Sequence, residues 1–219
     1  MAGVEDDSPP ALSAHALEAL RDFMRERDCG GAGDGGEGSV GEDWGLSQFW
    51  YDDFTARIVA EEVVRVIGDA PERSVACIAC PSLYTMLKKI YPGIRAHLFE
   101  YDRRFARHGS DFTYYDYNHP EDLPRHFEHR FYVVAADPPY LSEECLEKTT
   151  RAVQFLSEDH QKSPVLLLTG SVQQERAFFL LGVQPCGFRP AHKHKLGNEF
   201  KLYTNYDPGD NVRGWELKE

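Results

Sequence analysis

The feature that most constrains this chain is an alternation between Ser74 and Asp207. Short apolar runs rich in β-formers are separated by amphipathic helical segments. The runs SVACIAC, RAHLFEYD, FYVVAAD and PVLLLTG read as strands, and DFTYYDYN as a further strand ending at Asp116. Between them, SLYTMLKKIY, SEECLEKTTRAVQFLSE and VQQERAFFLLG read as helices, Ser142 being the N-cap of the second. PEDLPRHFEH reads as a helical or turn segment. A helix over 52–67, stopped by Gly68, precedes the first strand. Such alternation specifies an α/β fold, a mostly parallel sheet with helices on both faces. The last two candidate strands, VQPCGFRPAHK and NEFKLYTNYD, have no helix between them, only a loop with Gly197. They predict an antiparallel hairpin at one sheet edge. No internal repeat is present.

The region before Trp44 has a different texture. SAHALEALRDFMRERD predicts a helix with Ser13 as N-cap and Leu17, Leu20 and Met24 at helical spacing. Cys29–Gly41 holds seven glycines in thirteen residues and reads as a flexible linker. Within it GAGDGG, Gly31–Gly36, matches G-x-G-x-x-G. It lacks the preceding strand and following helix that give that motif its mechanism, so it is not a dinucleotide site. The expected organisation is therefore an acidic helical segment at 1–28, a linker at 29–43, an α/β domain at 44–207 and a tail at 208–219.

Charge narrows the partners. Of the formal net charge of −12, −8 belongs to residues 1–45, which hold 11 acids and 3 bases. The remainder is mildly acidic and carries no basic stripe for a phosphate backbone. Basic protein partners are easier to accommodate. No run of about 18 apolar residues suggests a membrane span, and the acidic N-terminus is not a secretory leader. Five cysteines in no dense pattern fit reduced thiols in a cytoplasmic or nuclear protein. Cys77 and Cys80 form a C-x-x-C, but Cys77 lies inside an apolar run, so buried inert thiols are expected. Cys145, Cys186, His192 and His194 are too scattered to support a metal. HKHK, His192–Lys195, is a basic cluster that either grips a partner or the ligand region or is a solvated loop.

In an open α/β sheet, ligands bind beyond the carboxyl ends of the strands. Those ends carry Cys80–Tyr84, Glu100 with Asp102, Asp116, and Asp137–Tyr140 (DPPY). Glu100 lies about twenty residues past the first strand–helix turn, where an acid bonds the ribose of an adenosine-type cofactor. It also reads as a solvated strand end, and Asp116 as a turn acid or helix cap. Pro81 and Ser82 open a helix whose first amides suit a carboxylate or hydroxyl. DPPY has the chemistry to handle an amine. Asp137 and the Pro138 carbonyl accept N–H bonds, the two prolines contribute no donors, and Tyr140 offers a ring face.

Together, LSQFWY, SVACIACPSLY, FEYDRRFA, YYDYN, ADPPYLSEECL and NEFKLYTNYD resemble the elongation factor 1-alpha lysine methyltransferase 1 family, earlier described as N6-adenine DNA methyltransferases. The resemblance runs from Leu46 to Asp207 and includes LSAHALEAL near the start. It implies a class I, Rossmann-like methyltransferase with a seven-stranded sheet and S-adenosylmethionine as cofactor. It implies that Asp137, Pro138, Pro139 and Tyr140 line the methyl-transfer site. Glu100 would hold the ribose, Asp116 the adenine region, and Pro81 and Ser82 the methionine end. Trp50 would contact cofactor, with Phe49, Tyr51 and Tyr140 around the substrate. The implied activity is lysine methylation of elongation factor 1-alpha by a cytoplasmic monomer without membrane attachment. An N6-adenine methyltransferase and a non-catalytic cofactor-fold binding partner are the alternatives.

Overall fold

The computed structural model describes residues 40–43, 48–194 and 196–216. The expected helix at 13–28, most of the glycine linker including GAGDGG, Trp44, Lys195 and the last three residues lie outside the described residues. The chain divides at Gly41, and everything below concerns the unit starting at Glu42.

Seven strands form one sheet in the order β3-β2-β1-β4-β5-β7-β6. They are β1 (Ser74–Ile78), β2 (Arg95–Glu100), β3 (Phe112–Tyr114), β4 (Val133–Ala136), β5 (Val165–Gly170), β6 (Gln184–Pro185) and β7 (Phe200–Thr204). The first five are parallel, and β7 runs antiparallel to both β5 and β6. This is the expected mostly parallel sheet with an antiparallel edge. β4 and β5 are buried along their whole length, the reason they read as continuous apolar runs.

Among the described residues four α-helices pack on the sheet: α1 (Asp53–Ile67), α2 (Pro81–Ile90), α3 (Glu143–Leu156) and α4 (Gln174–Leu181). Asp52 caps α1, its carboxylate accepting the Thr55 amide at 2.7 Å. Ser142 caps α3 through the Cys145 amide, with Glu143 and Glu144 in the first turn where the helix dipole favours acids. Pro81 is the first residue of α2, where its missing N–H costs nothing. Between the strands and α3, Ile78, Phe99, Val134, Leu146, Leu156 and Tyr203 form part of one core.

Two expectations need correction. β3 stops at Tyr114, two residues short of Asp116, and its three residues are only partly covered because it is the sheet edge. β6 keeps two residues of the expected longer strand. Beyond it, the Gly187 and Phe188 amides bond to the carbonyls of Gly214 and Val212, so the chain leaves β7 for the C-terminal segment. A Cβ at Gly187 would lie 2.8 Å from the Arg213 carbonyl oxygen, so only glycine allows this crossing. The chain then continues to α1. The Asp52 amide bonds Ala191 O, and the Lys193 amide bonds Trp50 O, both at 2.9 Å.

The segment after β7 is tied to α1 by one buried carboxylate. Glu62 is wholly inaccessible and accepts from Arg65 Nε and Nη2, from Tyr206 Oη and from Asn211 Nδ2, at 2.7–2.9 Å. Removing it takes away the shared acceptor of Arg65, Tyr206 and Asn211 and leaves a void in the interior. Glu62→Ala should therefore destabilise the protein by about 2–3 kcal/mol, read as a lower urea midpoint.

Candidate active site

The strand ends of β1, β2 and β4 meet at one cavity of about 530 Å³. Phe49, Trp50, Pro81, Ser82, Glu100 and Asp116 line it, as do Asp137, Pro138, Pro139 and Tyr140. The sequence thus named residues from five separate stretches that fold onto one hollow. Tyr51 does not line it. Its ring is 3% exposed and sits behind Asp137, with the hydroxyl donating to Asp137 Oδ1 at 3.2 Å.

Backbone geometry sets the floor. β1 ends at Ile78, and Ala79 takes a left-handed φ of 52°, turning the chain sharply into α2. That turn brings the start of α2 to the cavity wall, where Ala79, Pro81 and Ser82 are found. Next to it the Asp137 amide bonds Ile78 O at 3.0 Å, which seats the DPPY turn against β1. The turn is braced from β5. Gln173, itself buried, donates to Leu141 O at 2.7 Å. A Cβ on Gly170 would lie 3.0 Å from Leu141 Cδ1, so a side chain there would push the loop outward. Tyr140 is 44% exposed at the mouth and packs beside Tyr117, ring centroids 5.6 Å apart.

The Glu100 side is more polar than sequence reasoning foresaw. Gln48 is buried, donating to Asp102 Oδ2 at 3.0 Å and accepting from Arg104 Nη2 at 2.9 Å. Asp102 also caps the 3₁₀ turn that follows, through the Arg104 amide, and its own amide donates to Glu100 Oε1 at 3.0 Å. Gln48 therefore ties the stretch before α1 to the loop that follows Glu100. Sequence reasoning missed Gln48, Tyr115, Tyr117 and Asn118, and the Leu196–Phe200 side of the rim. Adjacency was the available signal: Gln48 precedes Phe49, and the tyrosines flank Asp116. Of HKHK, His192 lines the cavity, and His194 stands 3.3 Å from the Glu42 carboxylate.

Burial governs the electrostatics. It pushes the Glu100 carboxyl from an ordinary 4.5 up to about 7, against the Asp102 amide bond that favours the charge. Burial also raises Asp137 well above the carboxylate range, with Glu100 adding repulsion and the Tyr51 hydroxyl opposing. The Cys80 thiol is raised by burial and by Cys77, so it stays protonated even at a helix start. The four described cysteines are free and buried. Among the described residues no group of three or more His, Cys, Asp or Glu could hold a metal.

The donor set fits an adenosyl sulfonium ligand. It combines a buried carboxylate that would suit sugar hydroxyls, a helix start that would suit a carboxylate, and the rings of Phe49, Trp50, Tyr115 and Tyr117 that would suit a planar base. Because Glu100 is more basic when folded, the ligand-free protein holds a proton that the unfolded chain releases. Its stabilising contribution is complete below about pH 4.5 and is lost as pH rises through about 7. From about pH 5 to about pH 8 this group should cost the wild type on the order of 2 kcal/mol that Glu100→Gln does not lose. Thermal unfolding of both proteins at the two pH values measures the difference.

Comparison with known proteins agrees with this geometry. The family model described as Probable N6-adenine methyltransferase matches residues 42–208. The EEF1A lysine methyltransferase 1 of Homo sapiens is 44% identical over 215 residues, covering 95% of this chain and 98% of the human protein. That of Gallus gallus is 42% identical over 214 residues, covering 94% and 98%. A protein-lysine N-methyltransferase of Drosophila melanogaster is 34% identical over 217 residues, covering 92% and 96%. Identity at this level over nearly the whole of both chains, with the family model spanning the entire sheet, means that this chain belongs to the EEF1A lysine methyltransferase 1 family, the family described as probable N6-adenine methyltransferases.

Proposed function

We propose that this protein is an S-adenosylmethionine-dependent protein-lysine N-methyltransferase acting on elongation factor 1-alpha. The observation that carries the reading is the pairing of Glu100 and Asp137 on one cavity, in a chain whose relatives are named for that reaction. When bound, S-adenosylmethionine supplies an electrophilic methyl on a sulfonium. Glu100 accepts the ribose hydroxyls. The first turn of α2, with Pro81 and Ser82, receives the amino-acid end. Asp116 and its neighbours face the adenine, and Trp50 walls the pocket with Phe49.

Asp137 and the Pro138 carbonyl accept the N–H bonds of the incoming amine, and two prolines keep competing donors out of the turn. That arrangement aims the nitrogen lone pair at the methyl. Tyr140 packs along the lysine stem, its ring face available to the cationic head. The amine must arrive unprotonated. With a free pKa of about 10.4, deprotonation at pH 7 costs on the order of 4–5 kcal/mol. A drying pocket and the neighbouring sulfonium charge both lower that cost. The mildly acidic balance of residues 46–219, without a basic stripe, suits a basic protein segment better than a phosphate backbone. No described helix is long and apolar enough to cross a membrane. We assign the enzyme to the cytoplasm, as a monomer, with the glycine-rich linker and acidic N-terminal segment outside the chemistry.

Methyl-label transfer tests the reading. Offered protein and nucleic-acid fractions separately, the enzyme should label a protein matching elongation factor 1-alpha, on lysine by peptide mapping. Asp137→Ala should lower the rate at least about 100-fold, since a misplaced acceptor costs that much. Label found only in nucleic acid would replace this reading with the adenine enzyme. Absence of cofactor binding would replace it with the non-catalytic partner. A further variant, Glu100→Ala, should weaken S-adenosylmethionine binding at least about tenfold by calorimetry, through loss of charge-assisted hydrogen bonds.

A further inference from the structure

Asp137 has a partner that the motif does not contain. The Tyr51 hydroxyl reaches Asp137 Oδ1 at 3.2 Å across 86 residues of sequence. Everything around Tyr51 restrains it. Its backbone forms an antiparallel bridge with His192, flanked by the Asp52–Ala191 and Lys193–Trp50 bonds. The His192 ring lies against the phenol, centroids 4.4 Å apart at 31°, and Phe200 meets His192 edge-on at 4.6 Å. The ring is almost fully buried, so it cannot swing into the cavity to serve as an ordinary pocket wall.

We propose that Tyr51 is a positioning residue for methyl transfer: its hydroxyl binds Oδ1 of Asp137 and turns the carboxyl group so that Oδ2 is left for the N–H of the substrate amine. The inference rests on the amine-methylating reading above. The reason lies in what a protonated Asp137 would do. Its O–H would donate to the amine lone pair and occupy the direction from which the methyl arrives. Burial and the Glu100 carboxyl both favour that unproductive form. Cys80, also close, is held as a neutral thiol. His192, stacked on Tyr51, is kept neutral by burial and brings no positive charge. The Tyr51 hydroxyl favours the charged state of Asp137, and its own burial keeps it protonated and a donor.

The test is Tyr51→Phe, which keeps the ring and its stacking. In the ligand-free protein, ¹³C-carboxyl NMR follows the titration of Asp137, assigned by its loss in Asp137→Asn. The titration midpoint should move to higher pH in Tyr51→Phe. The acidic limb of the kcat/KM profile should move the same way, with kcat at neutral pH down about tenfold, the factor for one pH of misplaced protonation. S-adenosylmethionine affinity should change less than about threefold. Should Tyr51→Phe not fold, 3-fluorotyrosine at position 51 serves instead. Its more acidic hydroxyl should move both midpoints to lower pH. An Asp137 midpoint that moves with neither replacement overturns the proposal. The NMR titration needs neither cofactor nor methyl acceptor, so that result counts against Tyr51 alone. Failure to label any protein counts against the lysine reading alone.

Discussion

Three backbone hydrogen bonds at the top of the sheet hold the site together. The Ala79 amide bonds Phe99 O at 2.8 Å, the Asp137 amide bonds Ile78 O, and the Tyr115 amide bonds Glu100 O, the latter two at 3.0 Å. Each continues a parallel ladder one step past the strand proper. In a parallel sheet the hydrogen bonds set the stagger of neighbouring strands, so these bonds fix Glu100, Asp137 and Tyr115 relative to one another. Side chains can then be chosen for chemistry, since their spacing is already decided by the backbone.

What the sheet cannot supply is a roof. The strand ends open to solvent, and the residues covering them come from distant parts of the chain. Gln48–Tyr51 is held at one end by Asp102 and Arg104, and at the other by residues 191–193. The crossover from β6 exists because Gly187 lets the chain pass Arg213 and because residues 212–214 take over the bonds that β7 would have received. Gln48 bonds Asp102, whose amide bonds Glu100, and Tyr51 bonds Asp137, so one short segment spans both buried acids.

Burial is used here against the usual ionisation of acids. Glu100 and Asp137 both sit where their charged forms are disfavoured, and each is offset by local donors: the Asp102 amide for one, Tyr51 for the other. A weakly charged pair responds strongly to what binds beside it. Hydrogen-bond donors or a positive charge brought into the cavity would draw both toward the carboxylate.

Much of this was legible in the residues. β4 and β5 are buried on both faces, so they appear as unbroken apolar runs, and the helix between them carries its cap, Ser142, in plain view. Strand ends in an α/β sheet point at ligands, which is why Glu100, Asp116 and Asp137 were candidates from the sequence, and all three line the one cavity. The sequence by itself determined the layers, the strand ends and the acids placed there, because apolar periodicity and capping are local. Only the tertiary structure decided that β6 would shrink to two residues, that Gln48 would be a buried polar anchor, and that Tyr51 would stand behind Asp137. Those outcomes depend on hydrogen-bond partners dozens of residues away, for which local chain chemistry holds no signal.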